Sequence, residues 1–149
     1  FVAAHVPPLA EALMDAFWPG PLSIVLPANP EVPDLLTANA GRIAVRFSPH
    51  PAVLDLCRVT DKVLVASSAN LSGKPSVTRP EDIEPELLAN TAGLYSVGPA
   101  PAGGLPPTVV DVLDGRDASY VRVLRQGAIS LQALEAAGFT VSDESEKSC

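Results

Sequence analysis

Ala66-Ser67-Ser68-Ala69-Asn70-Leu71-Ser72-Gly73-Lys74-Pro75-Ser76 follows an apolar run at residues 62–66 and packs hydroxyls, an amide and a glycine into one loop. The run reads as a strand, and open α/β sheets bind ligands in the loops at strand ends. Hydroxyls and free backbone N–H groups hydrogen-bond phosphate oxygens, and Lys74 adds positive charge, so one reading is a nucleotide-phosphate loop. The other is a turn that Ser and Asn build with their own backbone. The residues alone leave both open.

Upstream of the loop, Leu9, Leu13, Met14 and Phe17 share a helical face, and Trp18-Pro19-Gly20-Pro21 ends that helix because proline disfavours α geometry before it. Trp18 reads as a core anchor. Residues 22–26 read as a buried strand, residues 34–36 as one helical turn, and Ile43-Ala44-Val45-Arg46-Phe47 as the next strand, with Arg46 inside it. Val53, Leu54 and Cys57 suit a short helix entered through Pro51, with His50 at its start.

Downstream, Thr78-Arg79-Pro80-Glu81 has the form of a capping box opening a helix over 79–89, with Pro85 placed to break it. Residues 94–97, 109–112 and 120–124 read as strands, 98–107 as a glycine-proline loop and Asp114-Gly115 as a turn. Ser130 caps a last helix ending near Gly138. Helix-like and strand-like runs thus alternate as in an α/β domain over residues 1–141. The polar tail 142–149 is expected to be disordered.

Composition narrows the function classes. The chain has 149 residues, 47% of them hydrophobic, enough to bury a core. Ten Lys and Arg against 17 Asp and Glu give a formal charge of −7, which opposes stable nucleic-acid binding through many phosphates. Cys57 and Cys149 make no disulfide framework, and His5 and His50 show no ligand spacing, so no metal site is expected. No apolar run reaches the roughly 18 residues of a membrane span, so the expectation is a cytoplasmic protein without membrane association.

Four ordered segments resemble the YrdC-like threonylcarbamoyl-AMP synthase family. Phe17-Trp18-Pro19-Gly20-Pro21-Leu22-Ser23 is similar to the family's Trp-Pro-Gly-Pro-Leu-Thr entry. Ile43-Ala44-Val45-Arg46 with His50-Pro51 is similar to its Val-Arg strand and following His-Pro. Ser67-Ser68-Ala69-Asn70-Leu71-Ser72-Gly73 is similar to Thr-Ser-Ala-Asn-Leu-Ser-Gly. Thr108-Val109-Val110-Asp111 and Leu124-Arg125-Gln126-Gly127-Ala128-Ile129 complete the series.

The resemblance implies a YrdC-like α/β fold, a twisted mixed β-sheet flanked by helices around a concave nucleotide site. It implies a nucleotidyltransferase that condenses L-threonine, bicarbonate and ATP into threonylcarbamoyl-AMP and pyrophosphate. Mg2+ accompanies the ATP, and partner threonylcarbamoyl transferase proteins carry the group to tRNA. Ser68, Asn70, Ser76 and Arg125 are then the expected ATP contacts, and Arg46, Ala66 and Thr108 the threonine contacts. Arginine suits a carboxylate because its fork offers parallel donors. Each residue also has a plain reading: Arg46 and Arg125 as solvated strand charges, and Thr108 as a β-branched strand start.

The chain departs from the family pattern at several points. Pro107 replaces a serine before Thr108, removing a hydroxyl and a backbone donor. Arg42 stands where relatives carry a small threonine, and the acidic Asp-Gly-Gly before the glycine-proline loop is missing. The family's phosphate-neutralising Lys-x-Arg motif precedes all the matched segments and does not occur here, so the expectation is a domain without its N-terminal part. These departures motivate an alternative: a non-catalytic YrdC-like paralogue that binds nucleotide or RNA.

Overall fold

The computed structural model describes residues 2–100, 103–114 and 119–143. They form two compact units, one made of 1–48 with 105–149 and the other of 49–104.

The first unit is built on a five-stranded mixed sheet in the order β2-β1-β3-β4-β5: β1 Leu22–Pro27, β2 Arg42–Val45, β3 Thr108–Asp114, β4 Ser119–Arg125 and β5 Val141–Asp143. β1 runs antiparallel to β2 and parallel to β3, β3 antiparallel to β4, and β4 parallel to β5. Strict alternation sends Leu22, Ile24 and Leu26 to one face, with at most 1% exposure. The register sets Leu22 beside Thr108, Ile24 beside Val110, and Val110 beside Val123, so the buried residues of three strands share that face.

Helices α1 (Pro8–Phe17) and α5 (Leu131–Ala136) add Ala10, Leu13 and Leu134 to the core over these strands. Each fully buried Leu, Ile or Val there contributes about 1.5–3 kcal/mol. Leu9, Met14 and Phe17 pack at the margin, as the 3.6-residue spacing requires, and the Phe17 and Phe139 rings lie 6.2 Å apart. Trp18 closes α1 in extended geometry, and its indole N–H donates to the Leu22 carbonyl at 2.8 Å, which makes it the anchor expected from sequence. Ser130 caps α5 by accepting from the Ala133 N–H at 3.1 Å. A single turn, α2 (Asp34–Thr37), joins β1 to β2.

In the second unit, α3 (Pro51–Thr60) starts at His50, whose Nδ1 accepts from the Ala52 N–H at 3.2 Å, and ends at Asp61 in left-handed geometry. Four expectations are corrected. Residues 62–66 and 94–97 form no strand, because a strand needs a ladder partner and none of the described residues pairs with either. The helix expected over 79–89 is a 3-10 turn, Pro80–Asp82, followed by α4 (Pro85–Ala89). Pro85 holds Glu84 in extended geometry and removes the donor that would have continued the helix. The capping box is not made either: Arg79 is the capping residue without a side-chain cap bond, and it pairs with Asp82 at 3.0 Å and Glu81 at 3.8 Å.

β2 also ends two residues early, at Val45, leaving Arg46 just beyond the strand. Ser142 and Asp143, placed in the polar tail by sequence, belong to β5. Residues 144–149 and Gly115 of the expected turn lie outside the described residues.

Candidate functional site

Three of the seven candidate contacts gather at one end of the sheet. Val45 pairs with Ile24, Leu22 with Thr108, and Val109 with Arg125, so the end of β2, the start of β3 and the end of β4 coincide there. Arg46 is exposed immediately after β2. Arg125 is exposed, and its Nη2 donates to the Pro107 carbonyl at 3.0 Å.

Thr108 behaves differently. It is fully buried, its hydroxyl donates to the Ile129 carbonyl at 2.7 Å, and it accepts from the Ile129 N–H at 3.0 Å. These bonds fasten the start of β3 to the segment after β4. Gly127 makes the approach possible: a Cβ there would lie 2.1 Å from the Pro106 oxygen and 2.6 Å from the Pro107 carbonyl carbon. The Ala128 N–H bonds the Pro106 carbonyl at 2.9 Å. The Arg-Gln-Gly-Ala-Ile and Pro-Thr-Val-Val-Asp segments thus form one interlocked corner.

Asp111, only 4% exposed, lies on the sheet face opposite the core with Val25 and Arg122 in register beside it. Arg122 donates to its Oδ2 at 2.8 Å, and Arg42 pairs with its Oδ1 while also donating to the Val25 carbonyl at 3.3 Å. The cation at position 42 is therefore taken up by an acid of the sheet.

The 66–76 loop belongs to the second unit. Ala66 and Ser68 are exposed, and with residues 62–66 unpaired the loop does not leave a strand end. Asn70 organises it: its side-chain amide donates to the Leu71 carbonyl at 3.0 Å and the Lys74 carbonyl at 2.9 Å, and its Oδ1 accepts from the Ser76 hydroxyl at 3.3 Å. Gly73, at φ +82°, turns the chain between these bonds. Glu84, which sequence reading passed over, accepts from the Leu71 N–H at 3.3 Å and pairs with Lys74. The hydrogen bond and charge of Lys74, with the Leu71 N–H, hold the Glu84 carboxyl below the usual glutamate range, against the opposing effect of burial.

A cavity of about 520 Å³ in the same unit is lined by His50, Thr78, Arg79, Tyr95 and Gly98 among others. His50 cannot serve there as a free base: its Nε2–H donates to the Pro99 carbonyl at 2.9 Å while Nδ1 caps α3. A Cβ added at Gly98 would lie 3.4 Å from its ring. Neither this cavity nor Glu84 carries a local sequence signal, since both arise from partners 10 or more residues apart.

The Sua5/YciO/YrdC family model, described as telomere recombination, matches residues 1–127. The chain belongs to this family. It is 41% identical over 113 residues to a threonylcarbamoyl-AMP synthase of Xylella fastidiosa, covering 75% of this chain and 56% of the relative. To the threonylcarbamoyl-AMP synthase of Bacillus subtilis it is 37% identical over 131 residues, covering 87% of this chain and 36% of the relative.

Among solved structures, Pyrococcus abyssi Sua5 complexed with L-threonine superposes with a TM-score of 0.75 at 30% identity, covering 95% of this chain and 41% of that one. A variant of the same protein reaches 0.82 at 31% identity, covering 95% and 42%. E. coli YciO shares the fold, with a TM-score of 0.67 at 24% identity, covering 89% and 62%. This Sua5/YciO/YrdC chain thus spans about half or less of the length of the synthases it matches.

Proposed function

We propose that this chain is part of a threonylcarbamoyl-AMP synthase acting on L-threonine, bicarbonate and ATP. The observation that carries the reading is that a relative solved with L-threonine shares the fold over 95% of this chain. Relatives from bacteria, an archaeon and a yeast bear the synthase name, which supports it further.

In this reading the threonine amine and bicarbonate lose water to form a carbamate. A carbamate oxygen then attacks the α-phosphorus of ATP, the α–β bridging bond breaks, and pyrophosphate leaves. The protein positions the two reactants and neutralises charge. Arg46, exposed at the sheet end, offers its fork to the threonine carboxylate, and Ala66 is kept as a backbone contact for threonine. Arg125 spends one donor on Pro107 and offers the rest to the nucleotide. Ser68 is the loop hydroxyl directed to phosphate, while Asn70 and Ser76 hold the loop in shape. Thr108 leaves the contact set, because its hydroxyl is buried and bonded to Ile129.

Among the described residues no group of three or more His, Cys, Asp and Glu could hold a metal ion. Mg2+ would enter as a companion of the triphosphate, and none of these steps depends on it. Transfer to tRNA by a partner protein and a cytoplasmic setting belong to the same proposal. No helix among the described residues is long and apolar enough to cross a membrane. The non-catalytic alternative loses one support, since Arg42 is paired with Asp111 and not presented as a loose cation.

Calorimetric titration of the full-length protein with L-threonine tests the reading. Saturable binding that Arg46→Ala weakens by roughly 10- to 100-fold, the worth of a charge-assisted bond, is the expected result. Absence of threonine binding to folded wild-type protein overturns it.

A further inference from the structure

Glu84 lies 13 residues beyond Leu71, yet it holds the 66–76 loop at two points, through the Leu71 N–H at 3.3 Å and through Lys74. It stands at the start of α4 but makes no cap bond to that helix, because its side chain turns back to the loop. Asn70 braces the loop from inside, and Asn70, Lys74, Val77, Asp82 and Glu84 are among the residues lining a cavity of about 220 Å³. Lys74 is the one cation in the 66–76 stretch, and Glu84 is the carboxylate that engages it.

We propose that Glu84 is the positioning residue of this loop and that its carboxylate occupies Lys74 until nucleotide phosphate displaces it. The proposal rests on the synthase reading and deepens it. A triphosphate carries more negative charge than one carboxylate, so it draws Lys74 away, while the bond from Leu71 N–H to Glu84 keeps the loop's shape during the exchange. Glu84 therefore does two separable things: it fixes the backbone at Leu71 and lowers the affinity of Lys74 for phosphate.

Two substitutions separate them. Glu84→Gln keeps an acceptor for Leu71 but removes the competing charge. Glu84→Ala removes both. In the full-length protein, Glu84→Ala is expected to lower kcat at saturating ATP by about tenfold, the scale of one misplaced positioning contact. Glu84→Gln is expected to restore that kcat and to lower the KM for ATP by about two- to fivefold, as suits a partly exposed ion pair. Adding Lys74→Met should cancel the KM gain of Glu84→Gln in a double-mutant cycle.

Amide exchange at Leu71, followed by NMR on the same proteins, reads the positioning without turnover. It should quicken in Glu84→Ala and stay near wild type in Glu84→Gln. Unchanged Leu71 exchange in Glu84→Ala overturns the proposal, as does a Glu84→Gln protein whose KM for ATP rises. If wild-type protein makes no adenylate, the synthase reading fails, and the Leu71 exchange together with ATP binding by calorimetry still decides the role of Glu84.

Discussion

Arg42 and Asp111 are joined across the full width of β1: the arginine comes from β2, the carboxylate from β3, and the Val25 carbonyl between them accepts from the same guanidinium. With Arg122 on the other side, one carboxylate ties β2, β3 and β4, and Arg42 adds β1 through the Val25 carbonyl. Removing the acid leaves two partly buried cations facing each other. Asp111→Asn is expected to destabilise the protein by about 2–4 kcal/mol, the range for breaking a buried pair discounted for partly exposed arginines. Urea denaturation measures it, and a change below about 0.5 kcal/mol would place the triad among surface pairs.

The second prediction concerns the corner at Thr108. Thr108→Val leaves the Ile129 carbonyl and N–H buried without that hydroxyl, at a cost of about 1–3 kcal/mol, and Thr108→Ser recovers most of it. Threonine affinity measured on the folded fraction should be the same in all three proteins. A threonine affinity that falls in Thr108→Val but not in Thr108→Ser would return Thr108 to the binding residues.

Gly127→Ala is expected to disturb the same corner. A Cβ at 2.1 Å from a backbone oxygen forces the 106–108 segment to move, since no flexible side chain is there to yield. The expected loss is about 1–3 kcal/mol in thermal or urea unfolding, typical of overpacking a fixed backbone. Wild-type stability in Gly127→Ala would show that the corner is looser than described.

Acid should release the Glu84 tie. The folded carboxyl titrates below its ordinary value of 4.5, so its contribution is present above that value and is lost as pH falls through the lowered one. Lys74 and the Leu71 N–H face it directly, and Asp82 lines the same cavity while bonded to Arg79. The Leu71 amide proton shift should therefore titrate with a midpoint below 4.5, and Lys74→Met should raise that midpoint. A midpoint at or above the ordinary value would contradict the pairing.

Much of the first unit was legible in the sequence because its signals are local. Leu22, Ile24 and Leu26 alternate, Leu9, Leu13 and Phe17 recur with helical spacing, and Ser130 stands as a cap. The second unit was less legible. Residues 62–66 and 94–97 have strand composition, but composition cannot supply a ladder partner. Pro85 overrode a helical pattern, and β5, with three residues, was too short to carry a period. Within the candidate site, the motif residues were visible and their bonds were not. Nothing near Asn70 announces that its amide serves the loop, and nothing near Glu84 announces Leu71 or Lys74, because those partners are set by tertiary folding.

The most direct test is product formation. Full-length protein incubated with ATP, L-threonine and bicarbonate should release pyrophosphate only when all three are present, and mass spectrometry should find threonylcarbamoyl-AMP in the same mixtures. Arg46→Ala should raise the threonine requirement, and Ser68→Ala should reduce turnover without lowering the melting temperature. Folded protein that yields neither pyrophosphate nor adenylate, or yields pyrophosphate without threonine, would contradict the account.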